Sequence, residues 1–263
     1  VCPVRGSVIY PTMVMPIDAG RPISIRAIDE ALARDRVLLI VSQRDKEVET
    51  PRPSDLFEVG TACNILKMRK NPDGSVQVLV QAFARVRVRE WLDLGDHLEA
   101  RGEVLADEPG EPILVKALVR EVKDKFQALL KEGKYLAPEV AQFILNLEDP
   151  SQLADYVAFH MDFRLEDKQK VLETANVAER LRAVLVLLEA ELALIETQRR
   201  IQQQVKEEID RNQREYFLRE QMKAIQRELH GEEGEQEVEE FRRKLEALDL
   251  PPVVRQEVER ELN

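Results

Sequence analysis

The sequence of 263 residues predicts an α+β fold: a small barrel-like β lobe, then an α-helical bundle, then a very long extended helix. Three observations carry that prediction. Turn-forming residues crowd the front, with 7 of the 10 Gly and 9 of the 13 Pro inside residues 1–112, whereas residues 151–230 hold neither. Alternating β-branched residues dominate the first hundred positions, and apolar residues at helical spacing dominate the rest of the chain. Charge divides at the same place: residues 1–107 carry 15 Lys+Arg against 16 Asp+Glu, and residues 108–263 carry 24 against 34. At 44% hydrophobic the chain has enough apolar material for real cores, and its acidic balance makes it a poor general polyanion binder.

Val8–Tyr10 leads into Pro11-Thr12-Met13-Val14-Met15-Pro16, where the prolines forbid helix and the apolar side chains need cover or a partner. Pro22 suits a first helical position, and Ile25, Ile28 and Leu32 predict a short helix ending near Asp35. Val37–Val41 reads as a strand buried on both sides. Arg44–Asp55 reads as a solvated loop. Val59–Lys70, the turn Asn71-Pro72-Asp73-Gly74 and the alternating Val76, Val78 and Val80 predict a hairpin. The alternation slips at Gln81-Ala82-Phe83, which predicts a bulge that bends the sheet toward closure. Leu98, Ala100, Gly102 and Val104 alternate and predict the last strand. The lobe so defined spans residues 1–107.

A helical bundle is expected over 112–195. Leu114, Leu118, Val122, Phe126 and Leu129 share a helix face, with Gly133 placed to end it. Further helices start at Pro138 and at Pro150 behind Asp149, and a short one covers about Glu166–Glu173. From Asn176, which with Glu179 resembles a capping box, no breaker appears before Gly231, so a helical arm over 176–230 would reach roughly 80 Å. Its first third carries a broad stripe from Leu181 to Ile195. Its middle offers only Ile201, Val205 and Ile209, a seam wide enough for one partner helix. Apolar content then returns as Tyr216, Phe217, Leu218, Met222, Ile225 and Leu229. Gly231-Glu232-Glu233-Gly234 is expected to break the arm, with a helical linker over 235–263 whose pattern is still running at Asn263, as in a segment of something longer.

Motifs for chemistry are missing. The sequence has no Gly-x-x-x-x-Gly-Lys-Ser/Thr phosphate loop and no Gly-x-Ser-x-Gly elbow, and His97, His160 and His230 fall in different elements without metal-ligand spacing. No catalytic, cofactor or metal residue is therefore assigned. Cys2 and Cys63 are too few for a disulfide framework, and no apolar run approaches a membrane span, which together predict a cytoplasmic protein without a membrane partner. Three features remain. Tyr10, Met13, Met15 and Pro16 either form an exposed apolar grip for unfolded polypeptide or cap the core of the sheet. Arg85, Arg87 and Arg89 either make a nucleic-acid face or an ordinary solvated strand face, and no interleaved aromatics favour base stacking. Tyr216, Phe217, Met222, Ile225 and Leu229 are expected to pack on another chain or on substrate.

Arg5-Gly6-Ser7-Val8-Ile9-Tyr10-Pro11 with Met13–Ile17, then Asp149–Asp155 with His160-Met161, and above all the run from Asn212 to Leu229, closely resemble the N-terminal region of bacterial Lon proteases, ATP-dependent AAA+ serine proteases. The resemblance covers essentially the whole chain. Its arm motif is the specific part, whereas the β-lobe motif is shared with stand-alone Lon-substrate-binding-type domains and cereblon. The opening Val1-Cys2-Pro3-Val4 departs from the family's leucine-rich start. The resemblance implies a PUA-like (pseudouridine-synthase-like) barrel, a helical bundle, and a long helix leading to an ATPase module. ATP and Mg would be bound only in that module, and the Ser-Lys dyad and Walker motifs would lie outside this chain. It implies a non-catalytic role in protein quality control: capturing unfolded or damaged proteins and holding other Lon subunits in a homo-hexamer. Binding of nucleic acid is the alternative, and it rests on fold analogy.

Overall fold

The computed structural model describes residues 1–132 and 136–246, with the backbone alone for 229–238 and 245–246. The chain falls into two units, Val1–Ile195 and Glu196 onward. The first holds strands β1 (Cys2–Val4), β2 (Val14–Ala19), β3 (Val37–Ser42), β4 (Val59–Lys70), β5 (Val76–Asp93) and β6 (Leu98–Leu105). It also holds helices α1 (Pro22–Ala33), α2 (Pro112–Lys131), α3 (Pro138–Leu145), α4 (Pro150–His160), α5 (Leu165–Glu173) and the start of α6 (Val177–Glu246). The sheet lobe and the helical bundle are thus parts of a single compact unit, and the strand-then-helix order is the one the residue patterns predict.

The sheet runs β1-β3-β4-β5-β2, with β6 also on β5. Strand β5 is its spine: residues 76–81 pair with β2, 85–93 pair with β6, and β4 lies along the other edge. Two residues of β5 face one interval of β4 where Ala62 pairs with Ala84 and Cys63 with Ala82, so Phe83 is the extra residue of a bulge at the predicted slip. Further shifts at Leu66 and Arg89 add curvature. Gly60 is required by the tight crossing of β4 over β3, because a Cβ there would sit 2.4 Å from the Ile40 carbonyl oxygen. Strand β6 stands where the alternation predicts; within it Val104 is 66% exposed and the neighbouring Leu105 packs on the helical core.

One core fills the sheet, built from Ile9, Ile17, Ile28, Leu38, Ile40, Val78 and Val80 under α1. A second and larger one fills the bundle, around Phe126, Leu129, Ile144, Leu153, Val157, Leu181, Val184 and Leu188. Four helices open on proline at the first turn, where the missing N–H is no loss. The Asp149 carboxylate accepts from the amides of Ser151 and Gln152 at the start of α4, and the Asn176 side-chain oxygen accepts from those of Ala178 and Glu179 at the start of α6. Gly110, at φ +69°, turns the chain from β6 into α2 in a conformation that a side chain would strain. Gly133 lies outside the described residues.

Helix α6 corrects the arm's expected end. The backbone stays helical through Gly231–Gly234 to Glu246. Each glycine costs about 1 kcal/mol relative to alanine inside a helix, a penalty a long run of good helix formers absorbs, whereas a proline would have removed a hydrogen bond outright. The expected linker features beyond Glu246, including Leu250-Pro251-Pro252, lie outside the described residues.

Candidate functional site

The segment before β2, expected as a substrate grip, lies half inside. Tyr10 is fully buried and donates from its hydroxyl to the Lys168 carbonyl at 2.8 Å, and Met13 is 4% exposed in the bundle core. Neither presents a side chain at the surface: the bundle covers both, a cover supplied by residues far downstream. Met15 is half-buried against the sheet core, while Pro16 is exposed.

The other face of the same strands lies outside. Along β2, Ile17 and Ala19 point inward, so Val14 and Pro16 point outward, and Val14 is 53% exposed. The register sets Val14 and Asn64 on either side of Gln81, and Pro16 and Lys67 on either side of Leu79. Phe83 follows Gln81 by two residues and Leu66 follows Asn64 by two, and they are 47% and 43% exposed. Both sit at bulges, which explains how large apolar side chains come to face outward. Val14, Pro16, Leu66, Leu79 and Phe83 therefore share the outer face of β4-β5-β2. Sequence reading reached Pro16 among these and missed Leu66 and Phe83; the slip in alternation was the available signal.

Arg85, Arg87 and Arg89 do not form one face. Arg85 is 3% exposed and donates to the Leu172 carbonyl at 3.1 Å, to Asp107 at 3.3 Å and to Asp155 at 2.5 Å. Arg89 is exposed and pairs with Glu103. With Arg85 turned onto the helices, the expected arginine stripe, whether solvated or nucleic-acid-binding, loses its first member.

Arg85 instead belongs to a buried ionic cluster that sequence reasoning missed. Arg180, in the first turn of α6, is fully buried and donates to Asp107 at 2.7 Å, to the Ser151 hydroxyl at 2.7 Å and to the Thr174 carbonyl at 2.7 Å. Asp155 on α4 lies between the two guanidiniums, and Ser151 also bonds Asp107. Burial disfavours the Asp107 charge, yet the Arg180 and Ser151 hydrogen bonds outweigh it and hold that carboxyl below its usual range. At Asp155 burial wins and pushes the carboxyl up to about 6 against the pull of both arginines. A folded-state value above the ordinary 3.8 means that the native state holds this proton longer than the unfolded chain. Its contribution is complete below about pH 4 and is lost as pH rises through about 6. Denaturant unfolding from pH 4 to 7 is expected to show the native chain losing at most about 3 kcal/mol relative to Asp155→Asn over that interval, and a gain instead would contradict the assignment.

The unit from Glu196 is one helix whose described side chains are all exposed. Ile201, Val205 and Ile209 repeat at spacing four, each about half exposed, and Tyr216, Phe217, Met222 and Ile225 are 50–68% exposed. The Leu229 side chain lies outside the described residues. Among the described residues no group of three His, Cys, Asp or Glu stands together as a metal site, and no helix is long and apolar enough to cross a membrane.

A curved sheet joined to a helical bundle that continues into a long helix defines the class: an α+β domain of strands followed by helices. The chain belongs to the Lon family, since the family model of the ATP-dependent protease La (LON) substrate-binding domain matches residues 1–190. It is 39% identical over 263 residues to a Lon protease of Escherichia coli K12 and 38% identical over 261 residues to one of Brevibacillus choshinensis. The alignments cover 100% and 99% of this chain and 34% of each relative, so the chain spans about a third of their length. The solved N terminal domain of Mycobacterium avium complex Lon protease is similar in fold, with TM-score 0.59 and 25% identity over 71% of this chain and 95% of that one. The opening that departs from the leucine-rich pattern still forms β1.

Proposed function

We propose that this chain is the substrate-capturing part of an ATP-dependent Lon-type protease and that it binds unfolded or damaged polypeptide through exposed apolar side chains. The observation that carries the reading is the outer face of β4-β5-β2, where Val14, Leu66 and Phe83 stand exposed on neighbouring strands. Folded proteins rarely display contiguous apolar segments, so a surface of this kind selects chains that have lost their packing. The long helix adds Tyr216, Phe217 and Met222 as further apolar contacts, and the seam of Ile201, Val205 and Ile209 suits pairing with the same helix of another subunit in a hexamer. ATP hydrolysis and peptide-bond cleavage would belong to the remaining length of such a protease, in the cytoplasm, with ATP and Mg bound there.

The test is binding of the chain to a thermally unfolded model protein and to its native form. Capture of the unfolded form alone is expected, and equal affinity for both forms would remove the reading. Replacing Phe83 and Leu66 together by serine is expected to weaken capture by about tenfold or more, since each buries an apolar side chain on binding. Being surface positions, they should leave folding stability within about 0.5 kcal/mol.

A further inference from the structure

We propose that the groove between β1 and β2 takes an extended polypeptide segment as an added strand on β2. This deepens the capture role above and rests on it. Strands β1 and β2 stand at the two ends of the sheet order, each with a strand on one side only. They nevertheless line one groove of about 460 Å³, with Cys2, Pro3 and Val4 on one wall and Met15, Ile17 and Asp18 on the other. The barrel is therefore open at this seam.

The two walls are not equivalent. On β1, residues 2 and 4 turn their backbone to β3, and Pro3, which faces the groove, has no N–H and its carbonyl accepts from Arg21 Nη2 at 2.6 Å. That edge is closed to a newcomer. On β2, the Ala82 amide donates to the Met13 carbonyl at 2.8 Å, which sets the alternation: residues 13, 15, 17 and 19 turn their backbone to β5, and Val14, Pro16 and Asp18 turn theirs to the groove. Pro16 stands where its missing N–H costs the ladder nothing, as edge prolines do. The N–H groups of Val14 and Asp18 and the carbonyls of Val14, Pro16 and Asp18 remain as a row at strand spacing. A row of that pattern is matched by another extended backbone, whatever its side chains, which is the property shared by all unfolded chains. Half-buried Met15, with its adaptable side chain, and Ile9 give the groove an apolar lining for alternate side chains of the occupant.

The probes are a short peptide of alternating valine and threonine and its fully N-methylated counterpart, which keeps the side chains and loses the donors. With the whole chain, the unmethylated peptide is expected to slow hydrogen exchange at the Val14 and Asp18 amides. The methylated peptide is expected to bind at least about tenfold more weakly, a difference of one decade or more in Kd. Asp18→Pro removes a groove-facing N–H and no backbone bond to β5, and Asp18→Ala shares its loss of the exposed bond that the carboxylate accepts from Gln77 Nε2 at 2.8 Å, so the proline variant should weaken the unmethylated peptide relative to the alanine variant while keeping a similar thermal midpoint. Equal binding of both peptides, or unchanged exchange at Val14 and Asp18, overturns strand addition. If a thermally unfolded protein still binds through Leu66 and Phe83 in that case, the capture role stands without the groove; if it too fails to bind, both fall.

Discussion

Replacing Arg180 by methionine is expected to destabilise the Val1–Ile195 unit by about 3–5 kcal/mol, the cost of removing one of the two cations from a buried ionic cluster and leaving the groups it bonds underpaired. Arg180 is fully buried and ties three parts of the chain together: Asp107 after β6, Ser151 at the start of α4, and the Thr174 and Ala175 carbonyls at the end of α5. Arg85 brings β5 into the same cluster through Asp155 and the Leu172 carbonyl. The methionine keeps much of the aliphatic stem, so the loss measures the guanidinium and not the volume. Urea unfolding of both proteins would check it, and a change below about 1 kcal/mol would place this arginine among surface ion pairs. Because the cluster joins sheet to helices, the variant is also expected to lose protection from hydrogen exchange at the lobe junction before it does so in the sheet core.

The second large effect is expected at Tyr10. As a core residue between sheet and bundle, Tyr10→Ala should cost about 3–5 kcal/mol through the cavity and the lost hydroxyl bond to the Lys168 carbonyl. Tyr10→Phe should cost about 1 kcal/mol and leave capture of unfolded protein unchanged. Were Tyr10 a surface contact for substrate, the order would invert: alanine would fold normally and bind poorly. Thermal melts alongside binding titrations separate the two outcomes.

The contrast between Tyr10 and Phe83 explains how much was legible from residues alone. Local signals read well. The Asn71–Gly74 hairpin, the slip at Gln81-Ala82-Phe83, the prolines opening α1, α3 and α4, and the Asn176 cap all depend on neighbours in sequence, and all stand where the pattern put them. Burial of Tyr10 and Met13 depends instead on helices well over a hundred residues away, which no local period encodes. Arg85 looked like one tooth of an alternating Arg comb, and its partners Asp107 and Asp155, with the Arg180 that shares them, are scattered over separate elements. Phe83 and Leu66, which face outward, sit at register shifts, so the slip that marked a bend in the sheet also marked part of the surface.

The long helix shows its apolar surface differently. Its thin seam at Ile201, Val205 and Ile209 and its apolar run from Tyr216 to Ile225 leave apolar area uncovered within the described chain. On a strand such residues are excused one at a time; repeated over many turns of one helix they call for a partner.

Capture of unfolded polypeptide by the outer sheet face is tested most directly by photo-crosslinking. A photoreactive residue placed in turn at Val14, Leu66, Phe83 and, as a control, at a polar position such as Arg120 on α2, would be irradiated with a thermally unfolded model protein and with its native form. Crosslinks at Val14, Leu66 and Phe83 with the unfolded form alone are the predicted result. Crosslinks of equal yield at Arg120, or equal yields with the native form, would contradict it.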